Sequence, residues 1–292
     1  LPILILLIVV LATAATTTGI FSNEGKGSYE YISIRGKTVM IYGKGLYKDM
    51  SAEVAPQGIA QDYITLFIGV PLLLISLVIA RKKSFRARFL LTGTVAYFLV
   101  TYLFYLVMGM YNEMFLAYVL LSGLSFFAFI ISLLEFDINA LPNYFSSKTP
   151  VKIAGGFLIF SSIVIGLLWL SIIVPPLLNG TIVPLQVEHY TTLIVQGLDL
   201  GILLPSSFIC GLLFIRKKPF GYLFGPVYFV FLSLLMTALT AKVIAMAILG
   251  YNVIPVIYII PTFNLITIAF TIVIFININT IPLKKIIKLK QP

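Results

Sequence analysis

One cysteine, Cys210, and one histidine, His189, stand in a chain of 292 residues. A single thiol excludes disulfide scaffolds, CxxC redox centres and cysteine-rich zinc sites. A single imidazole excludes bis-histidine haem ligation and the HExxH zinc site. Charge is scarce as well: Asp, Glu, Lys and Arg make up 10% of the residues, against about a quarter in a soluble domain. With 60% apolar residues and a mean hydropathy of +1.08, the chain is not a water-soluble globule. Disorder is excluded too, because disordered segments are poor in aromatics and this chain holds 23 Phe and 16 Tyr. There is no P-loop, no GxSxG and no pair of intramembrane carboxylates, so neither ATP-driven work nor covalent catalysis has a motif to rest on. No catalytic residue, cofactor or metal is assigned.

What is present is a series of apolar runs. A hydrocarbon core about 30 Å thick needs about 20 apolar residues per helix, and eight stretches qualify: Leu1 to Phe21, Tyr63 to Ala80, Phe89 to Met110, Met114 to Phe136, Ile153 to Val174, Thr191 to Ile215, Tyr222 to Leu249 and Pro255 to Ile276. The expected fold is an all-α polytopic membrane protein with eight transmembrane helices and a small extracytoplasmic β-hairpin between helices 1 and 2. Its parts are helix 1 (residues 1–21), the hairpin segment (22–61), a seven-helix membrane domain (62–283) and a basic tail (284–292). Ala12-Thr13-Ala14 would suit a signal peptidase, but the first run is long for a signal peptide and is read as a retained helix.

The net charge of +10 is explained by topology rather than by nucleic acid. Arg81, Lys82, Lys83, Arg86 and Arg88 follow helix 2, Lys148 and Lys152 follow helix 4, Arg216, Lys217 and Lys218 follow helix 6, and Lys284, Lys285, Lys288 and Lys290 follow helix 8. These 14 of 20 basic residues fall on one side of an eight-helix chain. The positive-inside rule then places both termini in the cytoplasm of a cell (plasma) membrane protein.

In the long segment before helix 2, Tyr29 to Arg35 and Thr38 to Tyr42 are rich in β-branched and aromatic residues and read as strands, with Gly36-Lys37 as a two-residue II′ turn. A lone hairpin is marginal in water, so this one should rest on the membrane domain or on a protein partner. An internal echo is also visible. Helix 2 runs from Asp62 through Pro71 to Arg81-Lys82-Lys83-Ser84-Phe85, and helix 6 from Asp199 through Pro205 to Arg216-Lys217-Lys218-Pro219-Phe220, which fits two parallel four-helix halves. The alternative is that basic helix ends arise from topology alone.

At Arg35-Gly36-Lys37-Thr38, Tyr42-Gly43-Lys44-Gly45-Leu46-Tyr47-Lys48-Asp49 and Glu188-His189-Tyr190-Thr191-Thr192, the last continuing to Leu198-Asp199-Leu200-Gly201, the chain resembles a group of uncharacterised prokaryotic multi-pass integral membrane proteins. The resemblance covers most of the chain from the hairpin to helix 7. It implies a shared architecture and no particular activity.

Asp199 is the sharpest candidate. A charge inside a membrane helix is expensive, so such residues face the bundle interior and find partners. Gln196 lies one turn earlier on the same face. Gly197 and Gly201 are expected to admit another helix on the opposite face. Pro205 removes a backbone donor close by, and broken helices beside an acid recur at transporter ion sites. Lys242 on helix 7 and Asn264 on helix 8 share the depth of Asp199, so an Asp199–Lys242 pair is expected, with snorkelling of Lys242 as the alternative. Asn264 continues into a stripe with Thr267 and Thr271 that suits interhelical hydrogen bonding.

His189 and Glu188 outside helix 6, Asp62 at the start of helix 2 and Asn112-Glu113 between helices 3 and 4 form the expected outer mouth. Tyr97, Tyr102, Tyr105, Tyr111 and Tyr118 are read mainly as core and interface aromatics. The expected function is transport or sensing of a small solute or ion through an outward-facing polar pocket. The alternatives are a non-catalytic membrane subunit or assembly factor holding a protein partner through the Tyr29–Tyr42 hairpin, and an intramembrane enzyme acting on a lipid. Beyond the bilayer itself, the possible ligands are a small solute, an ion or a lipid.

Overall fold

A computed structural model describes residues 1–108 and 110–279. Among them are eight helices long and apolar enough to cross a membrane, the architecture of a multi-pass membrane protein. They are α1 (Pro2–Phe21), α2 (Ala55–Arg81), α3 (Phe85–Met108), α4 (Phe115–Leu134), α5 (Val151–Leu178), α6 (Ile194–Ile215), α7 (Pro219–Ile248) and α8 (Val256–Ile276). The expected basic tail, residues 284–292 with its four lysines, lies outside the described residues.

Helix number follows the apolar runs, whereas several helix ends do not. α2 begins at Ala55, eight residues before the run that announces it, because Pro56 sits in its first turn, where a missing N–H costs nothing. Asp62 is therefore inside the helix and does not open it. The segment between α1 and α2 is correspondingly shorter, residues 22–54. α3 likewise starts at Phe85, taking in Arg86 and Arg88.

That segment folds into a cap at one end of the bundle. Strands β1 (Tyr29–Ile32) and β2 (Thr38–Ile41) pair antiparallel, with Tyr29 opposite Ile41 and Ile32 opposite Thr38. The turn differs from the expected two-residue form. Gly36 donates to the Ser33 carbonyl at 2.8 Å, Ser33 donates to Lys37 at 2.8 Å, and Gly36 has φ +73°. This is a three-residue loop with glycine in the left-handed position. The Ser33 hydroxyl accepts from the Lys37 amide at 3.2 Å and reinforces it. The far edge of β2 is covered by residues 50–52: Tyr42 donates to Met50 and Ala52 to Met40.

At the opposite, basic end an aromatic cluster locks the loops together. Phe85 stacks on Tyr144 at 4.1 Å, Phe89 meets Phe136 at 4.7 Å, and Phe145 meets Tyr222 at 4.7 Å. The Arg86 guanidinium donates to the Ile278 carbonyl past the end of α8 at 2.7 Å and to the Ile276 carbonyl of its last residue at 3.2 Å.

The internal echo extends into the backbone. α2 carries a π-helical turn at Thr65–Gly69, then Pro71; α6 carries one at Asp199–Leu203, then Pro205. Both helices lead into a lysine with positive φ, Lys83 and Lys217, and then into α3 at Phe85 and α7 at Pro219. Each of these pairs is separated by the same 134 residues. Packing repeats as well: α1–α2, α2–α3 and α3–α4 touch in the first half, α5–α6, α6–α7 and α7–α8 in the second, and the halves meet along α3 and α7. The repeat is imperfect: α1 packs along α4 without an equally close α5–α8 counterpart, and α2 and α6 differ in their contacts across the halves. α2 packs along α7 with its first turns, whereas α6 reaches α3 only near its start.

Candidate functional site

Asp62 lies in α2 three residues before the π turn and is 3% exposed. Its carboxylate accepts from the Tyr47 hydroxyl at Oδ2 and from the Tyr105 hydroxyl at Oδ1, the latter at 3.1 Å. Tyr105 also lies 2.9 Å from the Gly58 carbonyl, so its single proton is shared between two acceptors. On the remaining side is Gly19 of α1, where a Cβ would stand 2.0 Å from Oδ2 and 2.9 Å from the Tyr47 oxygen. Only glycine leaves room for the carboxylate. Tyr47 comes from the cap and is 3% exposed. Burial, with Tyr105 and Asp62 close by, holds its phenol well above the usual range, so Tyr47 stays a proton donor at neutral pH. Beside it in the chain, Gln61 Nε2 donates to the Tyr97 oxygen at 2.8 Å, and that oxygen shares a 2.8 Å hydrogen bond with Thr65 Oγ1.

Asp199 opens the π turn of α6 and accepts from Trp169 Nε1 of α5 at 2.8 Å. No residue of Ile194–Leu203 is fully buried. Gln196 is half-buried one turn before it. The expected close approach of a helix at Gly197 and Gly201 is not found: a Cβ on either would meet nothing within 4 Å. Small residues permit such contact without producing it, and the close α5–α6 contact is made instead at Gly155 and Gly211. The irregularity expected at Pro205 falls just before it, as the π turn, and Tyr228 donates to the Leu203 carbonyl there at 2.9 Å.

Lys242 of α7 is half-buried and within Coulombic reach of both Asp62 and Asp199. Among the described residues neither acid makes a hydrogen bond or ion pair with Lys242: the side-chain partners of Asp62 are Tyr47 and Tyr105, and that of Asp199 is Trp169. Asp62 is a second acid within a long apolar helix, one that begins earlier than its hydropathy indicates. Asn264 is 8% exposed and accepts from Thr237 Oγ1 at 3.3 Å. With the 2.9 Å bond between Ser233 and Thr271, it belongs to the polar seam joining α7 to α8.

Of the residues expected at the mouth, Glu188 and His189 lie on the loop before α6, and the cap grips this loop. Arg35 donates to the Tyr190 carbonyl at 2.9 Å, Glu188 at 3.4 Å and Thr191 at 3.3 Å. Ser51 N donates to the Tyr190 hydroxyl at 3.1 Å, and His189 Nε2 bonds the Asp49 carbonyl at 3.0 Å. Burial raises the Tyr190 phenol above its ordinary range. Asn112 Oδ1 accepts from Met114 N at 2.9 Å and caps the α3–α4 turn. Exposed Glu113 lines a surface groove with Lys48, Asp49 and Tyr111. Asp62, expected among them, is walled off from this rim by Tyr47.

Beneath Asp62 the tyrosines of α3 and α4 form a continuous cluster: ring centroids are 5.9 Å apart for Tyr102 and Tyr105, 5.3 Å for Tyr105 and Tyr118, and 6.1 Å for Tyr102 and Tyr118. The hydroxyls of Tyr102, Ser122 and Ser125 are buried without a hydrogen-bond partner, and that of Tyr118 is buried close to Asn112 and Tyr47 without meeting hydrogen-bond geometry. Each such group costs about 1–3 kcal/mol if nothing satisfies it.

Tyr47, Tyr105, Gly19, Trp169 and Arg35 were not singled out as site residues from sequence. Tyr47 lies within a Gly-Lys-Gly-Leu-Tyr stretch that reads only as a loop, and a Gly19 wall is invisible until α1 and α2 are packed. No group of three or more His, Cys, Asp or Glu side chains could hold a metal ion among the described residues. Compared with protein-family patterns, with curated proteins and with solved structures, the chain matches none.

Proposed function

We propose that this protein binds a small solute or ion, for transport or sensing, at a polar site between its two halves on the cap side, closed over Asp62 by Tyr47. The positive-inside rule supports an orientation with both termini in the cytoplasm of a plasma membrane and the cap outside. The observation that carries the functional reading is that α2 and α6, which hold buried Asp62 and half-buried Asp199, both pack against α7, which holds Lys242. Asp199 opens one π turn and Asp62 lies three residues before the other; π turns are frequent at functional sites, and intramembrane charges mark ligand and ion pathways. Two acids against one lysine leave an unbalanced negative charge, which favours a cation or a proton as the ligand.

Thermal denaturation of the purified full chain tests this against monovalent cations, protons and small amines. A ligand saturating the site raises the midpoint by a few degrees, and Asp199→Asn abolishes that rise. If nothing in the panel stabilises the wild type and a stoichiometric protein partner survives gentle extraction, the reading fails in favour of a membrane subunit. One feature favours that second reading: β1 is exposed along its length, with Tyr29 46% and Ile32 69% exposed, an edge able to pair with another chain. Orientation is tested by labelling single cysteines. Lys44→Cys reacts from outside and Ser84→Cys does not, while Cys210 is buried and contributes little background.

A further inference from the structure

We propose that a chain of bound water runs from Asp62 to the middle of the bundle, held by Tyr102, Tyr118, Ser122 and Ser125, and that the ion this protein handles is the proton. This rests on the reading above and names its ligand.

Tyr118, Ser122 and Ser125 lie four and three residues apart on one face of α4, over about 10 Å of helix. Tyr118 and Ser125 are 3% and 0% exposed, and Tyr102, facing them from α3, is 1% exposed. Side chains on a helix lean toward its N-terminus. α4 starts at the cap end, so Tyr118 leans up toward Tyr47 and Asp62. α3 starts at the basic end, so Tyr102 leans down to the level of the two serines. The unpaired hydroxyls therefore form a ladder rather than scattered defects. A hydroxyl both donates and accepts, and about three waters at hydrogen-bond spacing fill such a length.

Along α2, α3 and α4 the unpaired hydroxyls stop at Ser125 among the described residues. Farther toward the basic end, Ser132, Thr92 and Ser76 each bond a carbonyl of their own helix, at 2.8, 2.9 and 3.0 Å. The chain is therefore blind and stores a proton rather than conducting it through. The step balances simply: the Asp62 carboxylate takes a proton from a hydronium ion in the chain, giving a carboxylic acid and water, and release reverses it. Tyr47 and Tyr105 hold the carboxylate in place for both directions.

Radiolytic hydroxyl labelling of the full chain in nanodiscs, read by mass spectrometry, tests the water directly. Tyr102 and Tyr118 are expected to react several-fold faster than Tyr97, which is equally buried but fully paired. Rates equal to that of Tyr97 overturn the water chain. Infrared titration tests the proton: a carboxylic-acid band that appears on acidification is expected to vanish in Asp62→Asn and to shift its midpoint in Ser125→Ala, a substitution small enough to preserve the fold. A band unchanged in Asp62→Asn overturns proton storage. If labelling and titration succeed while no ligand stabilises the protein, the proton site stands without transport. If a metal cation or an amine binds and Tyr102 is silent, the site reading survives and this one is lost.

Discussion

Gly19 is the residue whose smallest change has the clearest consequence for the Asp62 box. A methyl group there overlaps the carboxylate and crowds the Tyr47 oxygen, both held by hydrogen bonds and unable to retreat. Gly19→Ala is expected to destabilise the protein by about 1–3 kcal/mol, the range for overpacked cores, measurable as a lower unfolding midpoint in detergent. Tyr47→Phe keeps the ring and removes only the donor to a buried carboxylate. Its expected cost is about 1.5–3 kcal/mol, with most of that cost absent in an Asp62→Asn background. Asp199 and Lys242 were legible in the sequence because a charge in the middle of an apolar run stands out. Asp62 was visible but misplaced, since two polar turns of α2 precede it and hydropathy starts the helix too late. Tyr47 was not legible, because nothing local distinguishes a buried loop tyrosine from an exposed one.

At the scale of elements, the cap binds both halves of the molecule. Tyr47 is buried against α2 and α3 of the first half, while Arg35 holds three successive regions of backbone before α6 of the second. An arginine bonded to carbonyls is a positional clamp, not an ion pair, so it contributes little to global stability and much to the order of the loop it grips. Arg35→Ala is expected to raise amide hydrogen exchange across residues 185–193 by at least tenfold while leaving exchange in α3 and α7 unchanged. Equal acceleration everywhere would show instead that the cap stabilises the whole fold. The two strands were legible from β-branched and aromatic residues. Their docking was not, because the alternation on a four-residue strand does not say what lies beneath it.

Across the whole molecule, the duplication was legible as a faint echo of proline and basic residues and became firm only through backbone features that sequence does not display: paired π turns and paired left-handed lysines at one constant spacing. The departure from symmetry at α6 has no signal in the sequence, because it depends on how extensively the equivalent first turns pack across the halves. Lys242 stands where this asymmetry matters, on the helix that packs along α2 and is also a neighbour of α6. If it serves both acids, Lys242→Met destabilises the protein, and Asp62→Asn and Asp199→Asn each reduce part of that effect. The expected coupling of Lys242 to each acid is about 1 kcal/mol, and the triple variant recovers more stability than either double. If the lysine snorkels to the membrane surface instead, Lys242→Met is nearly silent and couples to neither acid. Coupling to only one would assign the lysine to a single half and leave the other carboxylate to be balanced by its ligand.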